Sequence, residues 1–333
     1  MHYWRFGKSA SGGGWRLEID IRGLITEIRQ QSVSERHAAG LAIMFDLQHL
    51  VRHAEIFTAE VFRLAVWLVL LIAIFVPMER LFGLRPVKIF RQQVGVDLAW
   101  YFINSLLPAA IIAVPLAFLA RALHGINPGG FYSMVAGWHL WIRLPLMFLV
   151  NDLGVYWYHR ISHKVPFLWQ FHAIHHSAEE LDWLVNTRAH PVDMVFTRLA
   201  GLTPVYLLGL AQSAGGRLDT GVALLMILGT LWSFFIHANV KWRLGPLEWL
   251  VSTPAFHHWH HTNDEHRDRN FAAIFPLYDR IFGTAWLPTH WPPVYGIDAK
   301  VPPTLVGQLI RPLPGQPVGA PLPTSLGDPV GEK

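Results

Sequence analysis

Twelve of the 19 histidines in this 333-residue chain fall between His159 and His266, and most of them come in groups with helical spacing. The first group is His159-Arg-Ile-Ser-His163, the second His172-Ala-Ile-His175-His176, and the third His257-His258-Trp259-His260-His261, while His190 and His237 stand alone. Residues three and four apart on a helix lie about 5–6 Å apart at Cβ, so their neutral imidazole nitrogens can converge on one ion. In His-x-x-His-His the last two rings diverge by roughly 100° around the helix, which lets one group serve two neighbouring ions. Eight clustered imidazoles exceed what a single first-row metal coordinates, so two metals are the economical reading. All-imidazole ligation suits iron, copper, zinc or nickel, and donor identity does not choose among them.

Other chemistries are excluded by what the chain lacks. It has no cysteine, hence no thiolate zinc site, iron–sulfur cluster or thiol nucleophile. No His-Glu-x-x-His, no Gly-x-Ser-x-Gly elbow and no glycine-rich nucleotide loop occurs. No basic run interleaved with aromatics points to nucleic acid. A histidine-based metal transporter is disfavoured, because transport sites lie near the bilayer midplane, whereas these histidines sit in polar segments or at the ends of apolar runs.

The elements that must position these rings are membrane helices. Hydrophobic residues make up 52% of the chain against 15% charged, where soluble domains carry about 25% charged. The expected architecture is all-α: an integral membrane helical bundle with a histidine-rich helical cap on the cytoplasmic face. The sequence suggests a helix over Glu35–Glu60, then apolar runs at Leu64–Pro77, Leu98–Ala120, Phe131–Tyr158, Leu199–Gly216 and Thr220–Val240, giving four to five full or partial passes. Pro108 and Pro115 predict a kink in the second run. Arg80, Arg85, Lys88 and Arg91 in the link after the first run place that link, and the histidine groups, on the cytoplasmic side. Residues 1–56 read as a polar or interfacial region, 57–290 as one membrane-embedded domain and 291–333 as a disordered tail; residues 301–333 hold eight Pro and five Gly. The Met1 end lacks the pattern of a cleaved signal peptide.

The three histidine groups, with Thr253-Pro-Ala-Phe ahead of the third and Arg269-Asn270-Phe271 through Tyr278-Asp279-Arg280-Ile281-Phe282-Gly283-Thr284 after it, resemble the fatty acid hydroxylase/sterol desaturase superfamily. Met78-Glu79-Arg80-Leu81-Phe82 is similar to its bacterial sterol desaturase-like branch. The resemblance implies a membrane-bound non-haem di-iron enzyme that uses O₂ and two external electrons on an unactivated lipid C–H bond. It implies as ligands His159, His163, His172, His175, His176, His257, His260 and His261, with His237 as an additional one. Some relatives carry a further histidine one turn before His237, where this chain has Ser233, so His190 is taken as a compensating ligand or a supporting group. His257 is preferred to its neighbour His258, and His266 is placed outside the ligand set.

Metal-bound imidazoles usually donate their other N–H to a carboxylate or carbonyl. Asp152, Glu179, Asp182, Asp264 and Asp279 are near the groups in sequence and are candidates for this, as are Asn186, Asn239 and Asn270; Glu180, Glu265 and Asp268 read as solvated charges. The expected activity is hydroxylation of a lipid, with desaturation as the alternative outcome of the same site. Electrons are expected from a separate donor of cytochrome b5, ferredoxin or reductase type.

Overall fold

The helix expected over Glu35–Glu60 and the apolar run at Leu64–Pro77 form one continuous helix, α1 (Val33–Phe82). The polar residues between them do not interrupt it, because Arg63 Nε donates to Glu60 across one turn at 3.0 Å on an exposed face. The computed structural model describes residues 4–8, 15–19, 33–126, 130–211 and 220–312. The chain divides into two units, Met1–Val66 and Trp67–Lys333.

In the first unit, strands β1 (Trp4–Lys8) and β2 (Trp15–Ile19) pair antiparallel, with Trp4 opposite Ile19 and Lys8 opposite Trp15. This hairpin is an addition to the expected helical architecture. Its sequences Trp-Arg-Phe-Gly-Lys and Trp-Arg-Leu-Glu-Ile alternate with the period of two that suits a strand. Gly12–Gly14, between the strands, lies outside the described residues.

The second unit is helical. Helix α2 (Val94–Ile126) is followed by α3 (Phe131–Ala136), α4 (Leu140–Lys164), α5 (Pro166–His176), a 3-10 turn at Trp183–Thr187, α6 (Pro191–Leu207) and α7 (Thr220–His237). A second 3-10 turn at Gly245–Trp249 precedes α8 (Pro254–His260), α9 (Leu277–Ile281) and α10 (Leu305–Ile310).

Among the described residues three helical stretches are long and apolar enough to cross a membrane: His49–Phe82, Val94–Leu119 and Thr220–His237. The run at Phe131–Tyr158 is not among them. It is split between α3 and α4, and its two charges are buried and matched inside the protein. Arg143 donates to the carbonyl of Leu210 at 2.6 and 3.2 Å, while Asp152 accepts the backbone N–H groups of Ala273, Ile274 and Phe275 at 2.7–3.1 Å. Helix α2 continues through both of its prolines. Pro108 cannot donate to the carbonyl of Asn104 one turn back, and Arg198 of α6 donates to that oxygen instead, at 3.4 Å.

Helices α4 and α6 pack with Gly154 directly on the backbone of Ala200, leaving no room for a Cβ. Apolar clusters flank this seam: Met147, Leu202, Val205 and Leu225 on one side, Tyr156, Phe271 and Tyr278 on the other.

Four buried charges lock the link after α1 to the helical unit. Arg91 pairs with both oxygens of Asp182 at 2.6 and 2.7 Å and reaches Asp97 at 2.7 Å; Arg188 also pairs with Asp97, at 2.6 and 2.9 Å. Arg91, expected as a free cation of a cytoplasmic link, is thus a buried partner in a neutral network of two arginines and two aspartates.

The tail expected to be disordered from residue 291 is ordered through 312. Tyr295 forms a bridge with Thr262, and Gln308 is fully buried, accepting from Trp100 Nε1 at 2.7 Å. Side-chain partners on α2 hold this proline-rich segment, which composition alone does not reveal. The remainder of the tail, 313–333, lies outside the described residues.

Candidate metal centre

Four elements bring nine histidines together. One turn of α4 supplies His159 and His163; α5 supplies His172, His175 and His176; α7 ends on His237; and α8 with its C-cap supplies His257, His260 and His261. They form two adjoining groups, His159, His163, His172, His176 and His260 in one, and His175, His237, His257 and His261 in the other. Within each group the ring nitrogens lie within 4.8 Å of one another.

The His-x-x-His-His spacing divides the rings. In α5, His172 and His176 face the five-histidine group and His175 the other; in α8 the sense reverses, with His257 and His261 in the four-histidine group and His260 in the five. The groups touch, since the rings of His176 and His261 stack with centroids 4.5 Å apart.

The outward nitrogens fix the protonation of several rings. Nδ1 of His159 faces the carbonyl of Phe271 at 2.7 Å, His175 that of Arg188 at 3.0 Å, His237 that of Ser233 at 2.7 Å and His260 that of Arg269 at 2.8 Å. A carbonyl only accepts, so in each case Nδ1 carries the proton and Nε2 presents a bare lone pair inward. Two carboxylates do the same work: Asp193 accepts from His172 Nδ1 at 2.9 Å, and Asp268 from His163 Nδ1 at 3.1 Å.

Several of the inward nitrogens have no satisfying partner among the described residues. Nε2 of His159, His163 and His260 is buried without one among the described residues. Nε2 of His175 lies 3.2 Å from Nε2 of His237, and two lone pairs at that distance repel. A cation among these nitrogens removes the repulsion and gives each buried acceptor a partner, so the residues fit metal ions, one per group. Nδ1 of His257 and of His261 is also buried without a partner among the described residues.

Burial, reinforced by the neighbouring rings, holds His163, His175, His176, His257, His260 and His261 well below the ordinary histidine value of 6.5. These imidazoles stay neutral in the folded protein where the unfolded chain takes up protons. The folded state therefore loses stability as pH falls through about 6.5, by up to about 1.4 kcal/mol per pH unit for each such group. The melting midpoint of metal-free protein, followed from about pH 8 to about pH 5, is expected to drop below pH 6.5; a flat profile would contradict neutral burial.

His190 belongs to neither group. Its Nδ1 accepts from Val192 N–H at 3.2 Å, capping α6, and its Nε2 donates to the carbonyl of Leu309 at 3.1 Å, so no ring nitrogen is left for a metal. His258 is likewise engaged elsewhere, with Tyr295 Oη at 2.8 Å and the Ala238 carbonyl at 3.1 Å. His266 stacks on Trp286 away from both groups.

Of the eight polar residues expected to support the ligands, none is hydrogen-bonded to a ring of either group among the described residues. Asp152 holds the 273–275 backbone, Asp182 pairs with Arg91 and caps the 3-10 turn, and Asp264 accepts the N–H of His266. Asn239 pins the chain after His237 to Arg85, while Asn186 accepts from Ser233 Oγ at 2.5 Å, the residue whose carbonyl receives His237. Asn270 sits between the two carbonyls that orient His260 and His159. It has a φ of 58°, its amide donates to the carbonyls of Phe256 and Trp286, and its Oδ1 accepts from Trp286 N–H.

Asp268 was expected as a solvated charge and is instead bound to His163, with its second oxygen accepting from Lys164 Nζ at 2.9 Å. Asp193 was not singled out at all. It is buried, and besides His172 it accepts the Tyr158 hydroxyl at 2.7 Å. Its one sequence signal is an acidic residue in the first turn of a largely apolar helix. Outer carboxylates of this kind typically govern 10–100-fold in metal affinity. Asp193→Asn is expected to weaken one metal by about that factor, read by metal titration of the purified protein.

Residues 144–284 match the fatty acid hydroxylase family model. The chain is 32% identical over 185 residues to ornithine lipid hydroxylase OlsE of Rhizobium tropici, covering 53% of this chain and 51% of that protein. It is 32% identical over 167 residues to alkylglycerol monooxygenase of Danio rerio (50% and 34%), and 29% identical over 186 residues to methylsterol monooxygenase 2-2 of Arabidopsis thaliana (55% and 65%). The match thus spans about half the length of the first of these relatives and about a third of the second. No solved structure matches the chain. The stretch 144–284, which carries all nine gathered histidines, belongs to the fatty acid hydroxylase/sterol desaturase superfamily.

Proposed function

We propose that this protein is a membrane-bound oxygenase whose two histidine groups hold two iron ions and which hydroxylates a lipid C–H bond. The overall balance is R–H + O₂ + 2e⁻ + 2H⁺ → R–OH + H₂O. The observation that carries this function is the pair of adjoining groups of buried imidazoles, in which Nε2 of His159, His163 and His260 has no partner among the described residues and Nε2 of His175 and His237 face one another. When bound, the iron pair supplies the O₂ activation that side chains cannot.

The protein's own residues do the rest. Asp193, Asp268 and the backbone carbonyls of Arg188, Ser233, Arg269 and Phe271 hold the protons on Nδ1 and fix the ring planes. The buried walls around them, with Phe271 fully enclosed against His159, His163 and His260, exclude water from the nitrogens. His237 ends the span α7, and Glu79 near the end of α1 accepts the N–H groups of Asn239 and Trp183 at 2.8 Å. This arrangement supports a centre at the end of the membrane helices, within reach of a lipid held between them.

The cytoplasm is proposed for that end, supported by exposed Arg80 and Lys88 where α1 leaves the span. The electrons are proposed to come from a separate donor of cytochrome b5, ferredoxin or reductase type. Hydroxylation is preferred to desaturation because the ornithine lipid and alkylglycerol relatives are named for hydroxylation or monooxygenation. Lipid mass spectrometry of cells with and without the protein under ¹⁸O₂ tests this. One lipid class gaining ¹⁸O supports hydroxylation; a loss of two hydrogens without label points to desaturation; an unchanged lipidome contradicts both.

A further inference from the structure

The ordered C-terminal segment lies beyond the stretch matched by the fatty acid hydroxylase family, yet one of its carbonyls accepts from His190, which starts the helix that carries Asp193. We propose that residues 302–311 form a strap that completes the five-histidine group, with His190 as the positioning residue that transmits its hold. The inference rests on that group binding a metal.

The strap is anchored at several points. Thr304 caps α10, Gln308 Oε1 accepts from Trp100 Nε1 on α2 at 2.7 Å, and Gln308 Nε2 donates to the Pro302 carbonyl at 3.1 Å. Arg311 donates to the carbonyl of Gln170 on α5 at 3.4 Å, two residues before His172. Between these anchors the Leu309 carbonyl accepts His190 Nε2–H.

The same imidazole uses its other nitrogen to accept Val192 N–H and so starts α6. Asn104 Nδ2 holds the approach, donating to the carbonyls of Thr187 and Ala189 at 2.9 and 2.8 Å. Three residues after His190, Asp193 leaves the first turn of α6 to accept His172 Nδ1. A shift of the α6 start therefore moves the carboxylate that sets the plane of one ligand ring. His190 also packs on Phe171, whose neighbour in sequence is that ligand.

A simple helix cap and a strap-borne positioning residue respond differently to substitution. Asparagine is a good N-cap but too short to reach Leu309, whereas glutamine reaches the strap and caps poorly. The test is titration of purified, metal-free full-length protein with Fe²⁺ under anaerobic conditions, for wild type, His190→Ala, His190→Asn, His190→Gln and Gln308→Ala. The expected result is two equivalents in the wild type and about a tenfold or greater weakening of one equivalent in His190→Ala and in Gln308→Ala. His190→Gln should recover more of that loss than His190→Asn. Unchanged affinity in His190→Ala, equal weakening of both equivalents, or full rescue by asparagine would each overturn the strap. Failure of the wild type to take up any metal would instead overturn the two-metal reading on which the strap depends.

Discussion

The His260→Ala variant is expected to lose turnover and to lose metal from the five-histidine group, and His175→Ala to do the same for the four-histidine group. Each ring presents Nε2 inward, with its Nδ1–H tied to a backbone carbonyl that accepts nothing else from the ring. Alanine removes a donor and leaves its partners' lone pairs facing one another across the gap. Because outer residues already govern 10–100-fold in metal affinity, loss of a ligand should exceed about 100-fold. Iron per chain and oxygen incorporation are the measurements. Wild-type turnover in either variant would mean that the gathered rings are not the working centre.

The largest effect on folding should come from Asp97→Ala. Asp97 is fully buried and is the shared anion of Arg91 and Arg188, each of which otherwise keeps fewer charged partners in a closed interior. Removing one member of a buried ion network costs about 3–5 kcal/mol, because charges remain without water or a counter-ion. Set against a typical total stability of about 5–15 kcal/mol, that is enough to unfold much of the protein. The consequence reaches the metal centre, since the carbonyl of Arg188 receives His175. Recovery of monodisperse protein and its melting midpoint in detergent measure the effect. A variant that melts like the parent would show that the network contributes little.

The gathered rings were legible in the sequence because helical spacing is local: three and four residues apart fixes which rings share a face wherever the helix lies. That same periodicity separated His175 from its neighbours and favoured His257 over His258. His237 has no such partner nearby and was indicated by the resemblance alone, while the lone His190 carried no periodic information and was left between ligand and supporting group, of which its two hydrogen bonds exclude the first. The supporting carboxylates were harder to read. Asp268 meets His163 from 105 positions away, a contact set by the path of the loop between α8 and α9 and not by spacing. Asp152 and Asp182 lie close to the groups in sequence, but hold backbone and an arginine.

The membrane helices were visible as apolar runs, yet composition could not show that the charges inside the Phe131–Tyr158 run are matched within the protein. The partners of Arg143 and Asp152 in α4, Leu210 and residues 273–275, are far along the chain. The segment 291–312, expected to be part of a disordered tail, was misread for a similar reason. Its order comes from the Gln308 contact with Trp100, 208 positions apart.

Nine gathered imidazoles in two adjoining groups are proposed to hold two metal ions. Metal analysis of the purified protein, joined to X-ray absorption at the iron edge, tests this most directly. Two irons per chain in an environment dominated by imidazole nitrogen is the predicted result. A chain that purifies active with no iron, or that retains its iron when His159, His176 and His261 are replaced together, would contradict it.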